Sequence, residues 1–192
     1  FCVAIVEESD LVNGYSIQKG DVVIGIESSG FHSNGFSLVR KVLEKDDLSH
    51  IQFPGDGELN LIQKLLEPTF IYVDLVQTCL AAHLPINGMA HITGGGLPEN
   101  LPRCLPKGLR VKIDPASWQI PQIFGWLQDV GDIPEIDIWN TFNLGIGFCL
   151  VVPPDYEKSA IKLSNQCGFK AWSIGLVEES LSDGTDLIGL PY

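Results

Sequence analysis

Basic residues are scarce: Lys and Arg number 12 against 24 Asp and Glu in 192 residues, a formal charge of −12. That balance argues against a nucleic-acid surface, which needs clustered Lys and Arg. Charge of either sign is low at 19%, while hydrophobic residues reach 45%, which excludes a disordered chain and leaves room for a sizeable core. Long apolar runs are missing. The longest, residues 144–152, falls well short of the roughly 20 residues that span a bilayer and reads as a buried strand. The cysteines, at positions Cys2, Cys79, Cys104, Cys149 and Cys167, are odd in number and form no C-x-x-C pair. Neither a disulfide framework nor a zinc site follows, and a metal site is not expected from these residues. Several sit among apolar neighbours and read as core fillers. A reducing, cytoplasmic setting is expected. No signal peptide is expected, no internal repeat or low-complexity linker is seen, and the chain starts without Met inside a strand-like run, so a part of a longer protein is expected.

Strand patterns cover residues 2–7, 21–27, 87–93, 109–114, 144–152 and 170–178, with 187–190 as an extension. Helical patterns cover 36–45, 58–66, 69–82, 97–105, 120–130 and 154–166, and residues 46–57 read as a loop. In the first helix Leu38, Val39, Val42 and Leu43 share a face, with Ser33 or Asn34 as N-cap. In the third, Leu75, Val76, Cys79 and Leu80 point inward. Pro121 suits a helix start and Gly168 a helix end. Alternating elements of this kind predict an α/β domain (α+β by some schemes), layered α/β/α around a mixed sheet.

Two glycine-containing turns stand between strands and helices. The first, residues 28–35, reads SSGFHSNG. A helix start carries free N–H groups and the positive end of the dipole, which attract phosphate. Ser33 and Asn34 add side-chain donors, and Gly30 and Gly35 permit close backbone approach. An anion cradle and an ordinary capped turn fit this segment equally. The second turn places Gly94, Gly95 and Gly96 in succession after His91, Ile92 and Thr93. Three glycines cost conformational entropy that a plain turn does not need, and a nest of backbone N–H groups accounts for them. On so acidic a chain a phosphate is repelled at long range, but screening over roughly 8 Å leaves local donors to decide. His32 and His91 each flank a glycine turn and are candidates for acid, base or phosphate contact. His50 and His83 carry no assignment. A third segment, TFNLGIGF from Thr141, puts two glycines at alternate positions, and tight packing is the better reading there.

Six segments taken together resemble the aminoimidazole ribonucleotide synthetase (phosphoribosylformylglycinamidine cyclo-ligase) family. They are GDVVIGIESSGFHSNGFSLVRKVLE from Gly20, LLEPTFIYV from Leu65, AHITGGGLPENLPRCLP from Ala90, SWQIPQIFGWLQ from Ser117, TFNLGIGF from Thr141 and AWSIGLVE from Ala171. They occur in the family's order and span almost the whole chain. Phe31, Phe36 and Leu144 depart from its usual Pro, Tyr, and Cys or Met, and leave the polar positions intact. The resemblance implies the family's C-terminal domain over residues 1–192, with an N-terminal half that carries most of the ATP and Mg2+ site lying elsewhere. It implies a ligase of purine biosynthesis that closes formylglycinamidine ribonucleotide to aminoimidazole ribonucleotide at the expense of ATP, homodimeric at full length and inactive as this chain alone. Carried onto this sequence, Ser33, Asn34 and Gly35 become the phosphate cradle. His91, Thr93, Gly94 and Gly95 face the reacting amide or phosphoryl group, Arg40 and Asn100 orient substrate, and His32 and His91 act as acid, base or charge stabiliser. Partners are then the ribonucleotide and the N-terminal domain, with neither nucleic acid nor membrane. Another ATP-dependent enzyme of the same superfamily (amidotransferase, selenophosphate synthetase or thiamine-phosphate kinase) and a non-catalytic phosphate-sugar-binding module are the alternatives.

Overall fold

The computed structural model describes residues 3–44, 60–181 and 184–191. Among them six strands form one mixed sheet: β1 Val22–Glu27, β2 Gly88–His91, β3 Leu109–Ile113, β4 Ile146–Val152, β5 Ala171–Glu179 and β6 Asp186–Ile188. Their order is β2-β4-β1-β5-β3-β6. Every neighbouring pair is antiparallel except β3 with β6. The central strand β1 is apolar almost throughout because both of its faces are covered. Val23, opposite Val151, points to one side, and Ile24, opposite Leu150, points to the other.

Helices fill both sides: α1 Phe36–Leu43, α2 Leu61–Leu65, α3 Val73–Ala81, α4 Gly96–Asn100, α5 Gln122–Gly131, α6 Glu135–Thr141 and α7 Glu157–Gln166. One core joins Val23, Val151 and Ile174 to Val39 of α1, Phe124 and Leu127 of α5 and Trp139 of α6. The other joins Ile24, Ile26 and Leu150 to Leu75 and Cys79 of α3 and Ala160 of α7. Burying each of the larger side chains contributes about 1.5–3 kcal/mol. The result is the layered α/β/α arrangement that the sequence pattern predicts. Among the described residues no helix is long and apolar enough to cross a membrane.

Several local expectations fail for identifiable reasons. Residues 3–7 join no ladder, and Val3 and Ile5 are 91% and 99% exposed: the alternation is present, but no strand lies beside it. Strand β4 starts at Ile146, because Leu144 and Gly145 take φ of 48° and 98° and turn the chain. Helix α3 starts only at Val73, and its buried stripe follows Tyr72, Leu75 and Cys79, which rotates Leu80 outward to 44% exposure. The segment 154–166 divides into a 3₁₀ turn, Pro154–Tyr156, and α7. That helix closes as predicted, with Gly168 at φ 88° and Phe169 N–H donating to the Ser164 carbonyl at 3.0 Å. Helix α6 was not expected from apolar periodicity, although Pro134 before it and acidic Glu135 and Asp137 in its first turn suit a helix start. The loop 46–57, with His50, and residues 58 and 59 of the second predicted helix lie outside the described residues, as do Phe1 and Cys2.

Candidate functional site

Turn 28–35 leaves β1 and delivers the chain to α1. Four of its residues take left-handed or otherwise positive φ: Gly30 151°, His32 51°, Ser33 60° and Gly35 71°. Such angles are costly for side-chain-bearing residues and persist only where the surroundings impose them. The cap of α1 is Gly35 itself, with no side-chain hydrogen bond, so neither Ser33 nor Asn34 serves as the N-cap. A Cβ at Gly35 would also strike the Phe142 ring, so both conformation and space exclude a side chain there.

His32 is buried at 4% exposure. Its Nε2 accepts the Ser29 N–H at 2.9 Å and faces the Phe70 N–H at 3.5 Å. The ring is therefore neutral with its proton on Nδ1. Burial, reinforced by nearby His91, pushes its pKa down to about 4. Nδ1 has no hydrogen-bond partner among the described residues and lies against Gly147 of β4, beside the Tyr72 hydroxyl. Tyr72 in turn donates to the Glu27 carbonyl at 2.7 Å and stacks on Phe148 with ring centres 5.2 Å apart. His32 is thus locked as an acceptor that holds the first turn closed.

The second turn leaves β2 at His91, which is exposed. Asn34 joins the two turns: its Nδ2 donates to the His32 carbonyl at 2.9 Å, and its Oδ1 accepts the Gly94 N–H at 3.1 Å. Gly95 caps α4 at φ 92°. Asn100, 4% exposed, turns inward. Its Nδ2 donates to the carbonyls of Gly96 at 2.8 Å and Gly94 at 3.1 Å, and its Oδ1 accepts Thr93 Oγ1–H and an Arg103 N–H, both at 3.2 Å. Asn100 and Thr93 therefore shape the glycine turn from within. Ser33 is exposed at the tip of the first turn, and Arg40 is exposed in the last turn of α1. The structure brings His32, Asn34, Thr93, Gly94 and Asn100 into one hydrogen-bonded unit, while Arg40 stands outside it.

His91 borders one cavity, and Ser28, Ser29 and Gly30 border another. An apolar groove of about 510 Å³ is lined by Phe70, Tyr72, Val76, Met89, His91 and Phe148. A polar cleft of about 690 Å³ is lined by Ser28, Ser29, Gly30, Lys64, Lys170 and Trp172, among others. Both are in the range of ligand sites. Two contributors escape sequence reasoning: Tyr72 and Asn143. Asn143 is 1% exposed and holds Ser28, Gly30 and Gly145. An Asn two residues ahead of Gly was the available signal for a side-chain-closed turn. Among the described residues no three His, Cys, Asp or Glu side chains come together to hold a metal ion.

The family model described as AIR synthase related protein, C-terminal domain, matches residues 18–186. The phosphoribosylformylglycinamidine cyclo-ligase of Prochlorococcus marinus strain NATL1A is 55% identical over 193 residues, covering 100% of this chain and 56% of that protein. Its counterpart in Synechococcus sp. strain CC9605 is 57% identical over 177 residues, covering 92% and 51%. The chain thus spans little more than half the length of these curated relatives. Among solved structures, thiamine-monophosphate kinase from Stenotrophomonas maltophilia K279a superimposes with a TM-score of 0.63 at 17% identity, over 96% of this chain and 55% of that one. E. coli HypE gives 0.57 at 17%, over 93% and 49%. T. maritima PurL complexed with AMPPCP gives 0.53 at 12%, over 91% and 24%. At such identities the likeness is one of fold.

Proposed function

This chain belongs to the AIR synthase related family, as its C-terminal domain, and from that premise we propose that it is the C-terminal half of a phosphoribosylformylglycinamidine cyclo-ligase. That ligase closes formylglycinamidine ribonucleotide to aminoimidazole ribonucleotide and releases ADP and phosphate. The observation that carries the reading is 55% identity to a protein of that name along the whole chain. The solved-structure neighbours share the fold at far lower identity and favour no other chemistry.

In this reading ATP supplies the phosphoryl group that activates the amide oxygen of the substrate. The chain's own part is to bind and orient. The phosphate cradle is assigned to Ser33, exposed at the tip of the first turn, with half-buried Asn34 and Gly35 beside it at the start of α1. His91, exposed at the end of β2 beside Thr93, Gly94 and Gly95, is the side chain free to meet the reacting amide or the transferring phosphoryl group. Preorganised donors at such a point contribute several kcal/mol to a charged transition state. His32, buried and neutral, holds the turn and moves no proton, and Asn100 acts through the glycine turn it shapes. Arg40 is assigned to substrate orientation from outside the joined turns. Among the described residues no cluster of His, Cys, Asp or Glu would hold a metal ion; Mg2+ is assigned with most of the ATP site to the N-terminal half, and no step is routed through it. A cytoplasmic homodimer completes the proposal.

The test is ATP-dependent ring closure by the full-length protein, with His91→Ala beside it. Turnover that falls at least about 100-fold in the variant supports the assignment of His91. Unchanged turnover removes His91 from the reaction.

A further inference from the structure

We infer that Asn143 is a positioning residue for both glycine-rich turns, acting through Asn34; the inference rests on the site proposed above. Turn 28–35 holds four positive φ angles, which its own backbone does not impose. Inside it, one backbone bond closes a turn, from Asn34 N–H to the Phe31 carbonyl at 3.1 Å. What fixes its start comes from far along the chain. Asn143 Oδ1 accepts the Ser28 hydroxyl at 2.9 Å, and its Nδ2 donates to the Gly30 carbonyl at 2.7 Å, across 115 and 113 residues of sequence. The same Oδ1 accepts the Gly145 N–H at 2.9 Å, and the Ser28 N–H donates to the Gly145 carbonyl at 2.9 Å. The turn leading to β4 and the turn leaving β1 are thereby clamped to each other.

The clamp continues outward. With Gly30 held, His32 closes on Ser29, and Asn34 is set where its Oδ1 accepts the Gly94 N–H at 3.1 Å. Asn100 then holds the carbonyls of Gly94 and Gly96 from below. Three asparagines, each both donor and acceptor, thus link the 143–145 turn to the first turn and the first turn to the second. Asn143 is 1% exposed, so it works on substrate only through the turns. The residue type is demanding: Asp keeps the acceptor but sets a carboxylate against the Gly30 carbonyl, and Ala removes the partner of the Ser28 hydroxyl, the Gly30 carbonyl and the Gly145 N–H.

The experiment uses the full-length protein, comparing wild type with Asn143→Asp, Asn143→Ala and the milder Ser28→Ala. A positioning role predicts that kcat falls roughly 100-fold in folded Asn143→Asp, with the KM for ATP little changed. It predicts a drop of about three- to tenfold in Ser28→Ala, which loses a single hydrogen bond. It also predicts faster amide exchange over residues 93–96 in each variant, with α7 unaffected. Variants that melt earlier but keep wild-type kcat while folded would overturn the inference. If neither Asn143 variant folds, Ser28→Ala decides by the same two readings. If wild type shows no ring closure, the functional proposal fails separately, and unchanged exchange over 93–96 still overturns the role of Asn143.

Discussion

Replacing Gly147 by Ala tests the packing that holds the first turn in place. A Cβ at this position would collide with the Tyr72 hydroxyl and approach His32 Cε1 to 2.5 Å and Nδ1 to 3.0 Å. Gly147 has no unusual backbone angle, so the cost comes from contact alone. Neither neighbour retreats freely: Tyr72 donates to the Glu27 carbonyl at 2.7 Å, and His32 accepts from Ser29 at 2.9 Å. Overpacking of this kind costs about 1–3 kcal/mol, and weakening the tyrosine hydrogen bond adds about 1 kcal/mol. A total of about 3 kcal/mol corresponds to a fall in Tm of about 6–12 °C for a domain of this size. Thermal unfolding followed by circular dichroism reads it directly. On a Tyr72→Phe background the same substitution costs less, because the oxygen that the methyl group meets is gone. A fall in Tm of less than about 2 °C, or no relief from Tyr72→Phe, would refute the packing described for β4, His32 and Tyr72.

Other perturbations have equally definite outcomes. His32, with its pKa pushed from 6.5 down to about 4, refuses a proton that the unfolded chain accepts, so wild type loses stability as pH falls from about 6.5 to about 4. The loss reaches about 3 kcal/mol; denaturant titrations at several pH values should show a shallower dependence for His32→Gln, and parallel curves would contradict a buried neutral ring. Asn34→Ala should lower stability by only about 1 kcal/mol while accelerating exchange of the Gly94 amide; unchanged exchange would mean that the two turns are not joined through this side chain. Asn100→Ala removes the bonds to the buried Gly96 carbonyl and the exposed Gly94 carbonyl and should cost about 2–4 kcal/mol by urea unfolding, against well under 1 kcal/mol for exposed Arg40→Ala. This chain on its own should not turn over ATP, and sustained ADP release from it would contradict a site divided between two halves.

The architecture was legible because its signals are local and repeated. Continuous apolar stretches at β1 and β4 and the Val39–Val42 stripe of α1 give the layers, and Gly168 ends α7 where the sequence places it. Order within the sheet was not legible, since β2 pairs with β4 across some 60 residues and no local pattern specifies that choice. The 3–7 run misled because alternation shows what a strand could bury, not whether a partner lies beside it. At the site, the two turns were visible through their glycines and polar residues. Their hydrogen bonding was not, because the residues that fix it lie at long range: Asn143 acts on Gly30, Asn34 on Gly94, and Tyr72 on Glu27. The two histidines look equivalent in sequence. Burial separates them, leaving His91 exposed and His32 locked.

The most direct test of the account is the rate at which the full-length protein converts formylglycinamidine ribonucleotide and ATP to aminoimidazole ribonucleotide, measured for wild type and His91→Ala side by side. The account predicts steady ATP-dependent ring closure by wild type and a loss of at least about 100-fold in the variant. Absence of ring closure by wild type, or equal rates for the two proteins, would contradict it.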